Sequence, residues 1–392
     1  MKFHYLYPNH TVSRILMITL LFIITLVALS SCKSEAEKAT NGQDLRTIII
    51  DSTLTAVRKQ MLQTRVDSVF VQMKFNGSIS VSQNGTPLID KSAGFENFKQ
   101  QIPLDSNSVF AIASISKQFT AAMILLLEEE QKLSTKDLVS KYLPEFHKSP
   151  YQQIIIEQLL NHTSGISDFG TGLLSAPGAE FHYSNKGYRF VGEIIEKASG
   201  KSFDENAQSI FTKAGMKNTK TATAFQTQHF ASAYLGNTGH AQEVSNMPER
   251  LAQPEISVPA GGILSTVADL HRWNHALHSG KVISASSLKK MTANSATRNH
   301  QVFGTMGYGL GIMINPGEPH AYFHSGYVKG APSLSIYYPQ SGTSVLILSN
   351  VADERKGKNA VFNPHKGIKA TADAIEITVN TVHKQMLSPE TH

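Results

Sequence analysis

Residues 110–127 read Phe110-Ala111-Ile112-Ala113-Ser114-Ile115-Ser116-Lys117-Gln118-Phe119-Thr120-Ala121-Ala122-Met123-Ile124-Leu125-Leu126-Leu127. A helix starting near Ser114 is apolar on nearly every side, so it has no face to turn to water and must be central and buried. Ser114 and Lys117, three apart, share one face of that helix about one turn apart, with roughly 5–6 Å between Cβ atoms. A serine at the positive end of a helix beside a desolvated lysine is an activated nucleophile, because burial favours the neutral amine that accepts the hydroxyl proton. The spacing is not unique. Ser286 with Lys289, and Ser287 with Lys290, repeat it within Ile283-Ser284-Ala285-Ser286-Ser287-Leu288-Lys289-Lys290, which reads as the capped start of a surface helix. On this stretch alone, Ser114 reads equally well as a helix cap.

Upstream, a short polar region with Lys2 and Arg14 precedes a largely apolar run from Ile15 to Leu29, ending in Leu29-Ser30-Ser31-Cys32. The run is short for a membrane span and right for a signal peptide, so the chain reads as exported. Leu-Ser-Ser-Cys resembles the lipobox of bacterial lipoproteins, which implies cleavage before Cys32 and a lipid anchor on it; the alternative is an ordinary cleavage site beside an incidental cysteine. Cys32 is the sole cysteine, so the exported domain rests on its core rather than on disulfides. Ser34 to Gln43 reads as a solvated tether. The expected organisation is a leader over 1–31, a tether over 32–50 and one domain over 51–388.

The 392 residues, 41% of them hydrophobic, suffice for one large domain or two closely packed lobes. A net charge of +6 is too diffuse for nucleic-acid binding, and no basic run with interleaved aromatics appears.

Along the domain, apolar residues at helical spacing from Asp51 to Met73 predict an opening helix. Ile79 and Val81 then alternate with serines, and Asn84-Gly85 predicts a hairpin turn before Leu88-Ile89. After the Ser114 helix come a short helix from Ser134 to Leu143, another over Ile154 to Leu160, and one from about Lys186 to Ser199 stopped by Gly200. From Lys217 to Pro259 periodicity fades, as in long loops over a cleft. A helix spans Ala268 to Leu277. Strand patterns follow at Gly309–Met313, Ala321–His324, Leu334–Tyr338 and Val345–Leu348, and a final helix covers about Gly367 to Met386. Strands at both ends with helices between predict an α+β fold: an antiparallel sheet lobe (51–112 and 261–388) with an inserted, mostly helical lobe (113–260).

Three motifs in order, Ser114-Ile115-Ser116-Lys117, Tyr183-Ser184-Asn185 and His324-Ser325-Gly326, together resemble the serine β-lactamase and penicillin-binding-protein superfamily, nearest to its class C-like branch of peptidases and esterases. Decoys are set aside by context: Tyr7-Pro8-Asn9 lies in the leader, and His278-Ser279-Gly280 ends a helix. Asn84-Gly85, Leu160-Asn161-His162-Thr163-Ser164-Gly165, Pro259-Ala260-Gly261-Gly262 and Tyr308-Gly309-Leu310-Gly311 resemble further landmarks in the same order.

The resemblance implies that Ser114 attacks a carbonyl to form an acyl-enzyme, with Lys117 and Tyr183 sharing the proton as base and then acid. It implies that Asn185 binds the substrate amide and holds Lys117, that the N–H groups of Ser114 and Tyr327 form an oxyanion hole, and that His324, Ser325 and Gly326 line the substrate. No cofactor or metal is needed. Each residue has a plainer alternative: Tyr183 as an aromatic at a helix start, Asn185 as its N-cap, His324 as a packing histidine on a strand. The third motif departs from β-lactamases, which usually carry lysine where His324 stands, and histidine gives no fixed positive charge for a substrate carboxylate. The expected activity is therefore an exported serine hydrolase, more an esterase or D-amino-acid peptidase than an efficient β-lactamase. The alternative is a penicillin-binding sensor or surface lipoprotein that acylates or binds without turnover. His271, His275 and His278 share a helical face, but Arg272 stands where a zinc peptidase needs glutamate, so they read as a helix flank.

Overall fold

A computed structural model describes residues 37–226, 229–253 and 256–387. The leader and Cys32 lie outside the described residues. The chain divides into two units, Met1–Leu54 with Met386–His392, and Thr55–Gln385. The described part of the first is helical. Helix α1 (Glu37–Gln72) begins there and continues into the second, so it starts inside the segment expected to be a tether. Its Glu, Ala, Lys, Gln and Leu residues are good helix formers, and polar composition suits a solvated helix as well as a coil.

The second unit is built on an eight-stranded antiparallel sheet. In chain order its strands are β1 (Gly77–Gln83), β2 (Thr86–Ala93), β3 (Ala296–His300), β4 (Gly304–Tyr308), β5 (Met313–Ile314), β6 (Tyr322–Val328), β7 (Ala331–Tyr338) and β8 (Thr343–Ser349), laid side by side as β3-β4-β5-β6-β7-β8-β1-β2. The β1–β2 hairpin turns where expected. Asn84 and Gly85 have φ of 48° and 80°, the left-handed pair that matches the twist of adjoining strands. β1 then pairs β8 from Gly77↔Ser349 to Gln83↔Thr343, joining the two distant segments of sequence in one sheet, as the strand pattern predicted.

The helices are α2 (Ser116–Glu129), α3 (Ile156–Leu160), α4 (Asn185–Ser199), α5 (Phe203–Lys213), α6 (Val258–Gly261), α7 (Val267–His278), α8 (Ala285–Met291) and α9 (Asn363–Leu387). α2 is enclosed by apolar side chains of α4, α5 and α7; Phe119 stacks on Trp273 at 4.0 Å and meets Phe211 edge-on at 5.6 Å. α4 ends at Gly200, φ 70°, as its sequence required.

Alternate residues of a strand face opposite sides of a sheet. On β7, Tyr338 donates to Asp373 of α9 (2.7 Å), while Ser335 and Tyr337 meet Asn274 and His278 of α7. β1 does the same, and its serines are not turned to water. Ser80 and Ser82 are buried against α7, where each lies 2.9 Å from a ring nitrogen of His271, which Ser344 also approaches at 2.9 Å. His271 is thus a buried, serine-bound residue rather than a helix flank, and burial alone lowers its pKa to about 3.

Two other elements differ from expectation. Ser134–Leu143 forms no α-helix, only a 3₁₀ turn at Val139–Lys141, because the Val139 N–H is diverted to the Ile154 carbonyl (2.9 Å). The 217–259 segment is not simply loop. Lys220–Thr221 pairs with Ile263–Ser265, which also pairs Phe110–Ala111, and Tyr234–Asn237 pairs in parallel with Val351–Ala352, tying the segment to backbone near residue 112 and to backbone just beyond β8.

Candidate active site

A single 3₁₀ turn, Ala113–Ile115, precedes α2, entered through Ala113 at φ 47°. Neither this turn nor α2 has a side-chain cap, so the Ser114 hydroxyl is not spent on the helix end and remains partly exposed. The Lys117 Nζ lies 3.3 Å from Ser114 Oγ and donates at 2.8 Å to both Asn185 Oδ1 and the Ala260 carbonyl. Lys117 is wholly buried, and desolvation holds its pKa below the usual lysine value, against the opposing pull of Tyr183 and Asp168.

Tyr183 projects from the extended residues leading into α4, and Asn185 is the first residue of that helix. Ser184 between them, not Asn185, is the N-cap, accepting from the Gly187 N–H at 2.9 Å. Nζ of Lys117 sits 4.7 Å from the centre of the Tyr183 ring. Burial would raise the Tyr183 pKa, but Lys117 and Arg298 beside it outweigh burial and hold the phenol below its ordinary value. Ser114, Lys117, Tyr183 and Asn185 therefore converge.

β6 forms the other wall. At Gly326 the strand passes so close to the turn before Ser114 that a Cβ there would stand 2.3 Å from the Ile112 carbonyl oxygen and 3.0 Å from Ala113 Cβ. The Ser333 hydroxyl of β7 bonds the same Ile112 carbonyl at 2.9 Å. This sets the peptide leading to Tyr327 against the Ser114 turn. The Tyr327 phenol itself turns to Glu354, to which it donates.

His324 is fully buried. Its Nδ1 donates to the Ser325 carbonyl at 2.7 Å, so Nε2 is the acceptor for the Tyr308 hydroxyl at 3.0 Å. Desolvation, reinforced by Arg298 and Lys117, pushes its pKa well down, and the ring is neutral. Ser325 Oγ meets His300 Nε2 at 3.3 Å; since His300 Nδ1 accepts from the Val302 N–H (3.0 Å), Nε2 carries the proton.

Several neighbours escaped the sequence reading. Arg298, on the edge strand β3, lies over the Tyr183 ring at 4.3 Å and forms no ion pair with a carboxylate among the described residues. It belongs to no motif, and only strand pairing brings it here. His162 accepts the Ser184 N–H at Nδ1 (3.1 Å) and packs on Tyr183 at 4.3 Å between centroids. It was visible as part of a landmark whose role was not. Asp168, three residues beyond that landmark, accepts hydrogen bonds from the first turn of α4. The landmark Pro259-Ala260-Gly261-Gly262 acts through backbone, offering the Ala260 carbonyl to Lys117. Gly311, φ 70°, lets the chain touch the Lys117 carbonyl, which a Cβ would approach to 2.5 Å. The expected continuous strand from Gly309 is broken there.

The fold is shared with a penicillin-binding protein from Bacillus halodurans (TM-score 0.66, 23% identity, 78% of this chain and 99% of that one). It is likewise shared with the D-amino acid amidase of Ochrobactrum anthropi SV3 (TM-score 0.65, 21% identity, 81% and 99%). Sequence then gives the family. The Beta-lactamase family model matches residues 66–367, and a penicillin-binding protein of Bacillus subtilis (strain 168) is 30% identical over 344 residues, 78% of this chain and 74% of that protein. The chain belongs to the Beta-lactamase family, a family of serine hydrolases.

Proposed function

We propose that this protein is an exported serine hydrolase that forms an acyl-enzyme at Ser114, acting on peptide or ester carbonyls in preference to β-lactams. The observation that carries this is the placement of Lys117 Nζ, 3.3 Å from Ser114 Oγ with the buried amine held below its usual pKa. A neutral amine has two N–H donors and one lone pair. Asn185 Oδ1 and the Ala260 carbonyl take the two donors, leaving the lone pair for the Ser114 hydroxyl. As Ser114 oxygen bonds to the substrate carbon, its proton passes to the Lys117–Tyr183 pair. When the tetrahedral adduct collapses, the same proton goes to the departing amine or alcohol. The N–H groups of Ser114 and Tyr327 receive the developing oxyanion. Water then releases the acid.

The preference over β-lactams rests on charge. His324, neutral and buried, cannot replace the fixed cation of a lysine at the third motif; a substrate carboxylate would instead meet the guanidinium of Arg298, which lies over the Tyr183 ring rather than on β6. Likeness in fold to a D-amino acid amidase supports amide chemistry. Export and lipid attachment at Cys32 rest on the sequence of the leader; mass spectrometry of the N-terminal peptide from the native membrane fraction would carry diacylglycerol on Cys32, and an unmodified cysteine there would refute it.

The test is an intact-mass and product time course of the lipid-free domain and Ser114→Ala with benzylpenicillin, a cephalosporin, short-chain esters and D-amino-acid peptides. Turnover of esters or peptides that Ser114→Ala loses supports the proposal. Activity retained by Ser114→Ala, a cephalosporin cleared fastest, or a lasting adduct with no turnover of any substrate would overturn it.

A further inference from the structure

Asp168 lies on the loop after α3, one residue before Phe169, which is 88% exposed. While Phe169 points outward, the Asp168 carboxylate turns back to the start of α4. Its Oδ1 accepts from Ser184 Oγ and from the Lys186 N–H, both at 2.9 Å, and its Oδ2 faces Asn185 Nδ2 at 3.3 Å. A carboxylate has only acceptors, whereas a side-chain amide has an NH₂ end and an oxygen end. The end of Asn185 facing Asp168 must therefore be its NH₂, which directs Oδ1 to Lys117 Nζ at 2.8 Å. Were the amide reversed, NH₂ would face the N–H groups of Lys117. The amine would lose one of its two acceptors, and its lone pair would no longer be confined to the direction of Ser114.

We infer that Asp168 is a positioning residue for acyl transfer, locking the orientation of Asn185 and so aiming the Lys117 amine at Ser114. The inference rests on the proposed role of Ser114 and Lys117. A purely structural role is the competing account, since the bond from the Lys186 N–H alone makes Asp168 an anion at the N-terminus of α4.

Asp168→Asn separates the two. The variant keeps an oxygen for the Lys186 N–H, but it presents its own NH₂ to Asn185 and favours the reversed amide. Acylation by the lipid-free domain is read with a short-chain 4-nitrophenyl ester, beside Asn185→Ala, the double variant, Ser114→Ala and thermal melts. Mispositioning of this kind costs about a hundredfold in kcat/KM, and we expect that loss in Asp168→Asn at an unchanged melting temperature. Because the two residues act as one unit, the double variant falls no further than Asn185→Ala. Asp168 also raises the Lys117 pKa, so the acid limb of the pH profile shifts to lower pH when its charge is removed.

Near-normal activity in Asp168→Asn, losses that multiply in the double variant, or a loss explained by a lowered melting temperature would overturn the inference. If Ser114→Ala keeps the esterase activity, the proposed site itself fails. A dead Ser114→Ala beside an active Asp168→Asn refutes the positioning role alone.

Discussion

Replacing Gly326 by alanine tests the cleft geometry most directly. The added Cβ would stand 2.3 Å from the Ile112 carbonyl oxygen and 2.4 Å from Ser333 Oγ. A carbon and a carbonyl oxygen in tolerable contact are about 3.3 Å apart, so β6 and the Ser114 turn must separate by about 1 Å. The hydroxyl of Ser333 can rotate away, but the Ile112 carbonyl is backbone and is already bonded to that hydroxyl. Overpacking of this kind costs roughly 1–3 kcal/mol, a fall of a few degrees in Tm for a chain of this size. The functional cost is larger, because the two N–H groups proposed as the oxyanion hole lie on the two segments pushed apart, and a displacement of about 1 Å is worth about a hundredfold in rate. Single-turnover acylation of the purified domain, with a melting curve for each variant, measures both. Gly317→Ala, where the new methyl meets nothing within 4 Å, is the control. Gly326→Ala acylating as fast as the parent, with unchanged Tm, would refute the close approach and the oxyanion hole proposed across it.

Three further outcomes follow from the same contacts. Lys117→Ala should lose acylation by a factor of about 10²–10⁴, the usual worth of a general base, with circular dichroism unchanged; retained activity would remove Lys117 as the base. Arg298 lowers the pKa of both Lys117 and Tyr183, so Arg298→Gln should move the acid limb of the pH–rate profile to higher pH and weaken substrates with a free carboxylate more than their amides. An unmoved profile with equal losses on both substrates would count against both roles. His365, buried among Phe75 and Phe362, has its pKa lowered to about 3 by desolvation. A depressed folded pKa gives stability that is complete above the unfolded value of about 6.5 and is lost as pH falls toward 3, at up to about 1.4 kcal/mol per pH unit. His365→Phe should flatten the acid decline of stability measured by urea titration between those limits, and an unchanged slope would refute the assignment.

How far the sequence reached depends on the range of the forces involved. Ser114 and Lys117 were legible because their relation is local: they stand three residues apart across the 3₁₀ turn Ala113–Ile115 and the first turn of buried α2, which keeps them neighbours whatever surrounds them. The Asn84-Gly85 turn, the stop at Gly200 and the apolar runs of β7 and β8 are local in the same sense. The serines of β1 mark the limit, since alternation with apolar residues marks a second face without saying whether that face is wet. The partner that buries it, His271, is almost two hundred residues away. The same limit hid the rest of the site. Arg298 reaches Tyr183 only through the pairing of edge strands, Asp168 reaches Asn185 across a loop, and the second acceptor of Lys117 is a backbone carbonyl, which any residue could supply. The state of His324 likewise depends on a hydrogen bond from Tyr308 and on burial that no motif records. Sequence by itself thus determined which side chains are available for the proposed acyl transfer. Only the tertiary structure decided their protonation, the direction of each amide and lone pair, and the charge a substrate meets, because these are set by neighbours that folding brings together from distant parts of the chain.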